Sequence, residues 1–461
     1  MKRGALHIDV VGSFWRVVGV ALLALRAALR TKGVAALLAL LTVCVLVLPR
    51  VVKGDGTPDG DLHILLSYTL GFSFGILCLA TLWAACALFA AEIDSTRMQL
   101  SAVKPVRPTE FWAGKWLALL ALNAALLTAV YAGVYAQVRW RIHRNGWSEA
   151  ECLQSRRVTH PILPTIQQEA RRVYETLRKQ NALPKDLDER ATLQVLEEKA
   201  SERYDVINPG ERMRWRFHLP RPVGRAESVT VRVRFDTEYS TRELIKGSFQ
   251  LSLAGDPAQA VEVKLDDFTQ NEIEFVVDTQ AFAGAKKEGG LRDFELVFRH
   301  IGDPKQAAAL MLRNRQDVVL LTPGGAFGAN LVRAAVIHWS VLALLAAFGL
   351  TLSACFSMPV AVFTATLLLM LTLVGNSVVR EVSKEDEREW QNKAGILVSR
   401  TVYRISSRAL KAEPLLALSH GERIDDELLG ASLAWNAVMA PLFFIVIGGV
   451  VLRRRELAQG D

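Results

Sequence analysis

Gly114 and Lys115 come nearest in this sequence to the end of a phosphate-binding loop, and they fail as one. Such a loop needs Gly-x-x-x-x-Gly-Lys followed by Ser or Thr, so that backbone amides cradle the phosphates and the hydroxyl reaches the metal. Here Thr109 stands in the first glycine position and Trp116 follows the lysine. The chain is not expected to bind ATP by such a loop. Neither an HExxH helix, a CxxC pair nor an EF-hand loop is present, and the eight histidines, scattered from His7 to His420, show no metal-ligand spacing. Cys44, Cys78, Cys86 and Cys355 fall in apolar runs, and Cys152 stands by itself outside them, which excludes a disulfide framework within the chain. No metal, no cofactor and no enzymatic activity are expected.

Three polar residues sit where they cost most. Asn123, His338 and Asn376 interrupt long apolar runs, so each must face other helices or a cavity. Their chemistry would be a translocation route or a proton relay. The plainer alternative is hydrogen bonding between helices, favoured because no carboxylate lies in any of the runs.

The remaining chemistry lies in one charged stretch, "EIDSTRMQLSAVKPVRPTEFWAGKW", Glu92 to Trp116. Asp94, Ser95 and Thr96 can cap a short helix over "RMQLSAVK". Met98, Leu100 and Val103 would form its apolar face, with Arg97 and Lys104 beside it and Pro105 ending it. Pro108 suits the first position of the next helix, and Glu110 lies near that helix's positive end. The expectation is a folded protrusion.

What positions these residues is a set of membrane helices. About 20 apolar residues are needed to cross the hydrocarbon layer. Runs without Asp, Glu, Lys or Arg cover Gly33–Pro49, Ile64–Ala91, Trp116–Val138, Ala334–Val379 and Leu428–Leu452, and the 46-residue fourth run turns near Pro359. Six transmembrane helices are predicted. No small-residue cleavage pattern follows Leu48, so the first run is expected to be a retained anchor. Ser13–Gly33 carries Arg16, Arg26 and Arg30 beside Phe14, Trp15, Val18, Leu22 and Leu25, the pattern of an amphipathic helix in the headgroup layer. With a cytoplasmic N-terminus, the cytoplasmic pieces hold 13 of the 55 Lys and Arg but 6 of the 47 Asp and Glu, leaving 42 and 41 for the other side. Such a bias orients membrane proteins. The net charge of +8 therefore reads as topology, with no nucleic-acid partner. Both termini and segment 92–115 are expected in the cytoplasm.

The outward residues 139–333 are enough for a domain with its own core. Residues 164–204 are rich in helix formers and broken at Pro184. From Met213 onward "MRWRFHL", "SVTVRVRF", "SFQLSLA", "AVEVKL", "EIEFVVD", "DFELVFRH" and "DVVLL" alternate apolar and polar residues, predicting a β-sandwich over about 211–322 with solvated charged faces. "LLTPGGAFGANLVRA" (Leu320–Ala334) reads as a glycine turn returning the chain to the membrane. A second outward insert, 380–427, contains a helix-like stretch with Arg400, Arg404 and Arg408 on one stripe, most simply a solvated face.

With these residues in view, the chain resembles the ABC-2 type transporter permeases, and most nearly the branch labelled as multicopper-enzyme maturation permeases. The resemblance rests on an acid ending a span (Glu92), a Leu-containing turn (Leu100), and the Pro-x-x-x-x-Glu…Gly-Lys pattern of Pro105, Glu110, Gly114 and Lys115. The six spans, the interfacial N-terminal helix, the approach "EPLLALSHGERIDDELL" (Glu413–Leu429) and the ending "VLRRRELA" (Val451–Ala458) add to it. It covers roughly Ser13–Val138 and Leu331–Leu457. Asp94-Ser95-Thr96 departs from the family's usual second Glu and Gly-Thr, and Arg107 stands where a small polar residue is commoner. The resemblance implies two paired permeases, homodimeric or heterodimeric. Each would rest a cytoplasmic coupling helix on a separate ATP-binding subunit, which alone binds ATP. Contacts with that subunit would come from Glu92, Asp94, Arg97, Met98, Leu100, Val103, Lys104, Pro105, Glu110 and Lys115. Three classes stay open at this point: an exporter permease, an ABC machine that drives its outward domain without carrying substrate, and a membrane-anchored binding or sensor protein. Seven methionines and no Met/His/Cys cluster give copper handling no support.

Overall fold

A computed structural model describes residues 10–52, 58–94, 107–149, 153–162, 166–179, 192–193, 196, 205–224, 227–237, 242–254, 256–282, 291–301, 307–312, 317–381 and 414–457. The chain divides into two compact units, one formed by Met1–Ser155 with Gly325–Asp461, the other by Arg156–Gly324.

The first unit is helical. Its elements are α1 (Val10–Leu29), α2 (Lys32–Val51), α3 (Pro58–Ile64), a π-helical turn (Leu65–Leu70), α4 (Gly71–Asp94) and α5 (Pro108–Asn145). After the second unit come α7 (Phe327–Cys355), α8 (Met358–Glu381), α9 (Pro414–Ser419), α10 (Asp426–Ser432), a second π-helical stretch (Leu433–Met439) and α11 (Ala440–Leu457). Six helical stretches among the described residues are long and apolar enough to cross a membrane: Val11–Leu29, Lys32–Val51, Gly60–Leu88, Pro108–Asn145, Phe327–Cys355 and Asp426–Arg453. The count matches the expected six, but the membership differs by one. Val11–Leu29 qualifies because only Arg16 and Arg26 interrupt it. Helix α8, expected to be a span, shows a shorter apolar stretch, Met358–Met370, and its side chains from residue 371 on lie outside the description.

Helix α5 illustrates why charge-free runs underestimate helices. It has 38 residues, about 57 Å at 1.5 Å per residue, against roughly 30 Å of hydrocarbon. Pro108 opens it at the first helical position, and Gly146, at φ 68°, closes it in the left-handed conformation. Arg139, Arg141 and Arg144 end the apolar run but not the helix, because a charge outside hydrocarbon leaves the backbone hydrogen bonds intact. Residues 139–145 and 327–333, expected in the outward domain, are thus helical, and the second unit is shorter than that expected domain at both ends.

Leu41 and Val45 of α2, Leu65 and Leu70 of the first π turn, Leu77 of α4, Leu126, Leu127, Val130, Tyr131 and Val134 of α5 and Leu331, Ile337 and Leu342 of α7 form one buried cluster. A second cluster gathers Trp112 and Leu119 of α5 with Ala343, Ala346, Ala347, Leu350 and Ala354 of α7. The small residues let α7 approach α4 closely. A Cβ on Gly349 would lie 2.7 Å from the Cβ of Ala85. Ser353 Oγ donates to the Cys86 carbonyl at 2.7 Å in the same interface.

The second unit is sheet-rich. All seven sequence-predicted strands are present, as β3 (Arg212–Val223), β4 (Ser228–Arg234), β6 (Leu244–Leu253), β7 (Asp256–Phe268), β8 (Glu272–Asp278), β9 (Leu291–His300) and β11 (Val318–Ala326). Four shorter elements join them: β1 (Gln154–Thr159), β2 (Asp205–Ile207), β5 (Asp236–Thr237) and β10 (Leu310–Leu312). Two four-stranded sheets, ordered β1-β11-β4-β8 and β3-β9-β6-β7, share one core, and β2-β10-β5 form a small third sheet. Phe275 of the first large sheet meets Phe249 of the second at 5.0 Å between ring centroids, and Phe298 packs on Phe249 at 4.7 Å. Burying each such ring contributes about 2 kcal/mol. Helix α6 (Ile166–Lys179) accounts for the start of the helical stretch expected over 164–204, and Pro184 lies outside the described residues.

Two features of this unit escaped sequence reading. Strand β1, "QSRRVT", has no apolar alternation. The expected glycine turn over Leu320–Ala334 is instead the end of β11 followed at once by α7; Gly325 takes the positive φ of 121°, so one residue absorbs what a turn would.

His300, 3% exposed, adds a pH dependence to this unit. Burial pushes its imidazole below the usual histidine range, against the opposing pull of backbone groups of Ile207 and Asn208. The folded state then binds fewer protons than the unfolded one, so stability is present above pH 6.5, the ordinary histidine value, and is lost as pH falls below it. Hydrogen-exchange protection of the β9 amides in the full chain, corrected for intrinsic rate, should drop between pH 7.5 and 5.5. In His300→Gln that drop should be absent.

Candidate functional site

The site is built where α5 begins. Arg107 is its N-cap, and Glu110, three residues on, turns its carboxylate back to accept the Arg107 backbone N–H at 3.0 Å. The same carboxylate reaches α1. Arg16 donates through Nε to Oε2 and through Nη2 to Oε1, each at 3.0 Å, and Ser13 Oγ donates to Oε1 at 2.6 Å. A carboxylate has about four lone-pair positions, and four donors occupy them here. Glu110 is only 5% exposed. It is a latch holding the N-terminal helix to the start of α5, with no acceptor position left for another partner. Close packing supports the latch: a Cβ on Gly114 would stand 2.6 Å from the side chain of Val20.

Lys115, also buried, donates from Nζ to the Leu88 carbonyl at 2.8 Å and lies over the Phe111 ring. This ties α5 to the end of α4. The two helices that enter and leave residues 95–106 are therefore fastened to one another, and one of them to α1. Trp112 and Trp116 stack below this point, Trp116 Nε1 donates to the Ala343 carbonyl at 2.9 Å, and Gly448 and Gly449 of α11 leave room for Trp112 and Thr109.

Of the expected partner-contact residues, Glu92 and Asp94 belong to the last turn of α4, where side chains are not described. Arg97, Met98, Leu100, Val103, Lys104 and Pro105 lie outside the described residues. Glu110 and Lys115 are described, and both spend their polar groups inside the chain. Sequence reasoning did not join Arg16 to Glu110: they are 94 residues apart. The available signal was that Arg16 is one of two cations in an otherwise largely apolar helix.

The polar residues of the apolar helices form cross-braces. Asn123 is 3% exposed, and its Oδ1 accepts from Thr81 Oγ1 of α4 at 3.0 Å. His338 Nδ1 lies 2.8 Å from the Tyr131 hydroxyl, while the Phe74 ring stacks on the imidazole at 3.7 Å. Asn123 and Tyr131 are two turns apart on α5, and buried Leu127 sits between them, as Leu77 does between Ser73 and Thr81 on α4. A third brace joins Asn436 Nδ2 in the second π stretch to Ser340 Oγ at 3.3 Å. Asn376 lies on α8, and its side chain is outside the description. Gly71–Gly75 has the Gly-x-Ser-x-Gly spacing of a nucleophile elbow. Yet it begins α4, not a strand-to-helix turn, and Ser73 is completely buried.

Nearer the second insert, Asn330 of α7 is completely buried and grips residues 422–424. Its Nδ2 donates to the Glu422 carbonyl at 2.7 Å, and its Oδ1 accepts from Ile424 N at 2.9 Å. The expected Arg400/Arg404/Arg408 stripe lies outside the described residues. Among those residues, no group of three His, Cys, Asp or Glu side chains is placed to hold a metal ion.

Compared with known proteins, the chain matches no family model, no curated protein and no solved structure.

Proposed function

We propose that this chain is the membrane-spanning permease subunit of an ABC transporter. In this reading a separate ATP-binding subunit docks on segment 92–115 and drives either export or movement of the outward β-domain. The observation that carries the proposal is the latch. A loop whose ends are merely connected needs no fastening, whereas one that receives force must pass it on. Glu110 links the exit of the loop to α1, and Lys115 links it to α4. Those two contacts leave the apolar residues Met98, Leu100 and Val103 as anchors for the partner, and Arg97 and Lys104 as charges that select it.

The topology proposed with it places both termini in the cytoplasm of the cell membrane and residues 139–333 outside. Helix α1 lies at the interface, α8 is the fifth span, and two permeases, identical or sister chains, pair in the bilayer. Five of the six apolar stretches are the expected spans, and α1 exposes Val11, Phe14, Trp15, Leu22 and Leu23, as a helix seated in headgroups would.

Leu100→Asp tests the docking. The variant should insert and express as the parent does but lose co-purification with the ATP-binding subunit at least tenfold. Undiminished co-purification would sink the docking assignment. Transport in vesicles, measured beside ATPase activity, separates an exporter from a machine that hydrolyses ATP only to move its outward domain. Failure to recover any ATPase with the intact chain would favour the membrane-anchored sensor.

A further inference from the structure

The register of the β3-β9-β6-β7 sheet sets two arginines directly opposite one another on its solvent face. Arg212 of β3 is the cross-strand partner of Arg299 of β9, and Arg299 faces Ser248 of β6, which in turn faces Lys264 of β7. One row across four strands thus reads Arg-Arg-Ser-Lys. Like charges directly opposite destabilise a strand pair, and here the neighbourhood deepens the excess. Arg214 flanks the pair on β3, and Lys246 does so on β6, where its carbonyl accepts from Ile301 N at 2.8 Å, the residue after His300 of β9. The carboxylates on this face are engaged elsewhere or further off. Glu295 takes both Arg214 and Arg216, Asp293 takes His218, Asp266 stands opposite Lys246, and Glu262 sits opposite Gln250. No carboxylate among the described residues pairs with Arg212 or Arg299.

We infer that the Arg212–Arg299 pair is a phosphate-binding site. Directly opposed residues lie about 5 Å apart at the backbone, so two guanidinium forks can converge on a single tetrahedral oxyanion. A phosphate carrying −1.5 to −2 charges neutralises both arginines, which a single carboxylate would not. The face is open and flat, unlike the concave sites that engulf whole metabolites. The site therefore recognises the phosphate group itself, either free or as a lipid headgroup.

Detergent-purified full-length chain should be titrated with inorganic phosphate and, separately, with dihexanoyl phosphatidic acid, using dihexanoyl phosphatidylcholine as the neutral control. Saturable, salt-sensitive binding of either phosphate probe is expected, weakened at least tenfold in Arg212→Gln/Arg299→Gln and unchanged in Arg171→Gln, an exposed arginine on α6. Tighter binding of the lipid names a headgroup as the source; equal binding names free phosphate. The Arg212→Lys/Arg299→Lys variant keeps the charge but not the forks and should bind at an intermediate level, which separates recognition from loss of fold. Binding of neither probe, or binding unaltered by the double Gln substitution, overturns the assignment.

Discussion

Glu110→Leu is expected to release α1 from the start of α5 and to lower the stability of the helical unit by about 2–3 kcal/mol. The substitution removes the acceptor of four hydrogen bonds and strands Arg16 beside an apolar helix. Breaking a buried ion pair costs roughly 3–5 kcal/mol; Arg16 keeps 32% of its side-chain exposure, so water recovers part of that. The measurement is a double-mutant cycle with Arg16→Met, read by thermal unfolding in detergent. A coupling energy above about 1.5 kcal/mol is expected for groups sharing one hydrogen-bond network. Additive effects would mean that the two residues do not act together. Under the proposed function, the same Leu variant should retain the partner ATPase yet lose stimulated turnover, since docking uses residues on the loop and transmission uses the latch.

Gly349→Leu should prevent the helical unit from packing at all. Even the first added carbon would lie 2.7 Å from Ala85 Cβ, 3.2 Å from the Leu82 carbonyl and 3.6 Å from Cys86 Sγ. Neither Ala85 nor the backbone can swing aside, so α7 and α4 must separate. That would break the Ser353 hydrogen bond to Cys86 and open the alanine-lined face. Overpacking of a tight core costs about 1–3 kcal/mol for a modest insertion and more when backbone must shift. Helices in lipid depend on this close approach because the solvent supplies no hydrophobic drive between them. Gel filtration after detergent extraction should show most of the variant aggregated. Gly75→Leu is the control: a Cβ there meets nothing within 4 Å, and that variant should behave like the parent. Loss of both variants alike would point to an effect of leucine on insertion rather than on packing.

The sequence makes some parts of this molecule plain and hides others, and the division follows range. Pro108 at the head of α5 and Glu110 within its first turn are legible because capping involves residues within one turn of each other. The seven strands are legible because alternation states which face is buried, and β3 shows it in the run from Arg212 to Val223. Strand β1 is hidden because its position comes from pairing with β11, more than 150 residues later in the chain, and not from its own polar pattern. The end of α5 was hidden by a different cause, since hydropathy reports the membrane and Gly146 reports the helix.

By itself the sequence determined that the chain holds long helices apolar enough to cross a membrane and that a β-domain interrupts them. Hydrocarbon excludes charge and a two-sided sheet demands alternation, and both conditions are met residue by residue along the chain. It also singled out Glu110, Lys115, Asn123 and His338 by residue type and position. Only the tertiary structure decided what they hold: Glu110 grips Arg16, Lys115 bonds the Leu88 carbonyl of α4, Asn123 meets Thr81 and His338 meets Tyr131. It likewise brought Arg212 opposite Arg299. Such pairings depend on which elements the chain closure brings side by side and in what register, and a local period of two or 3.6 residues says which face a side chain takes but not what waits across from it.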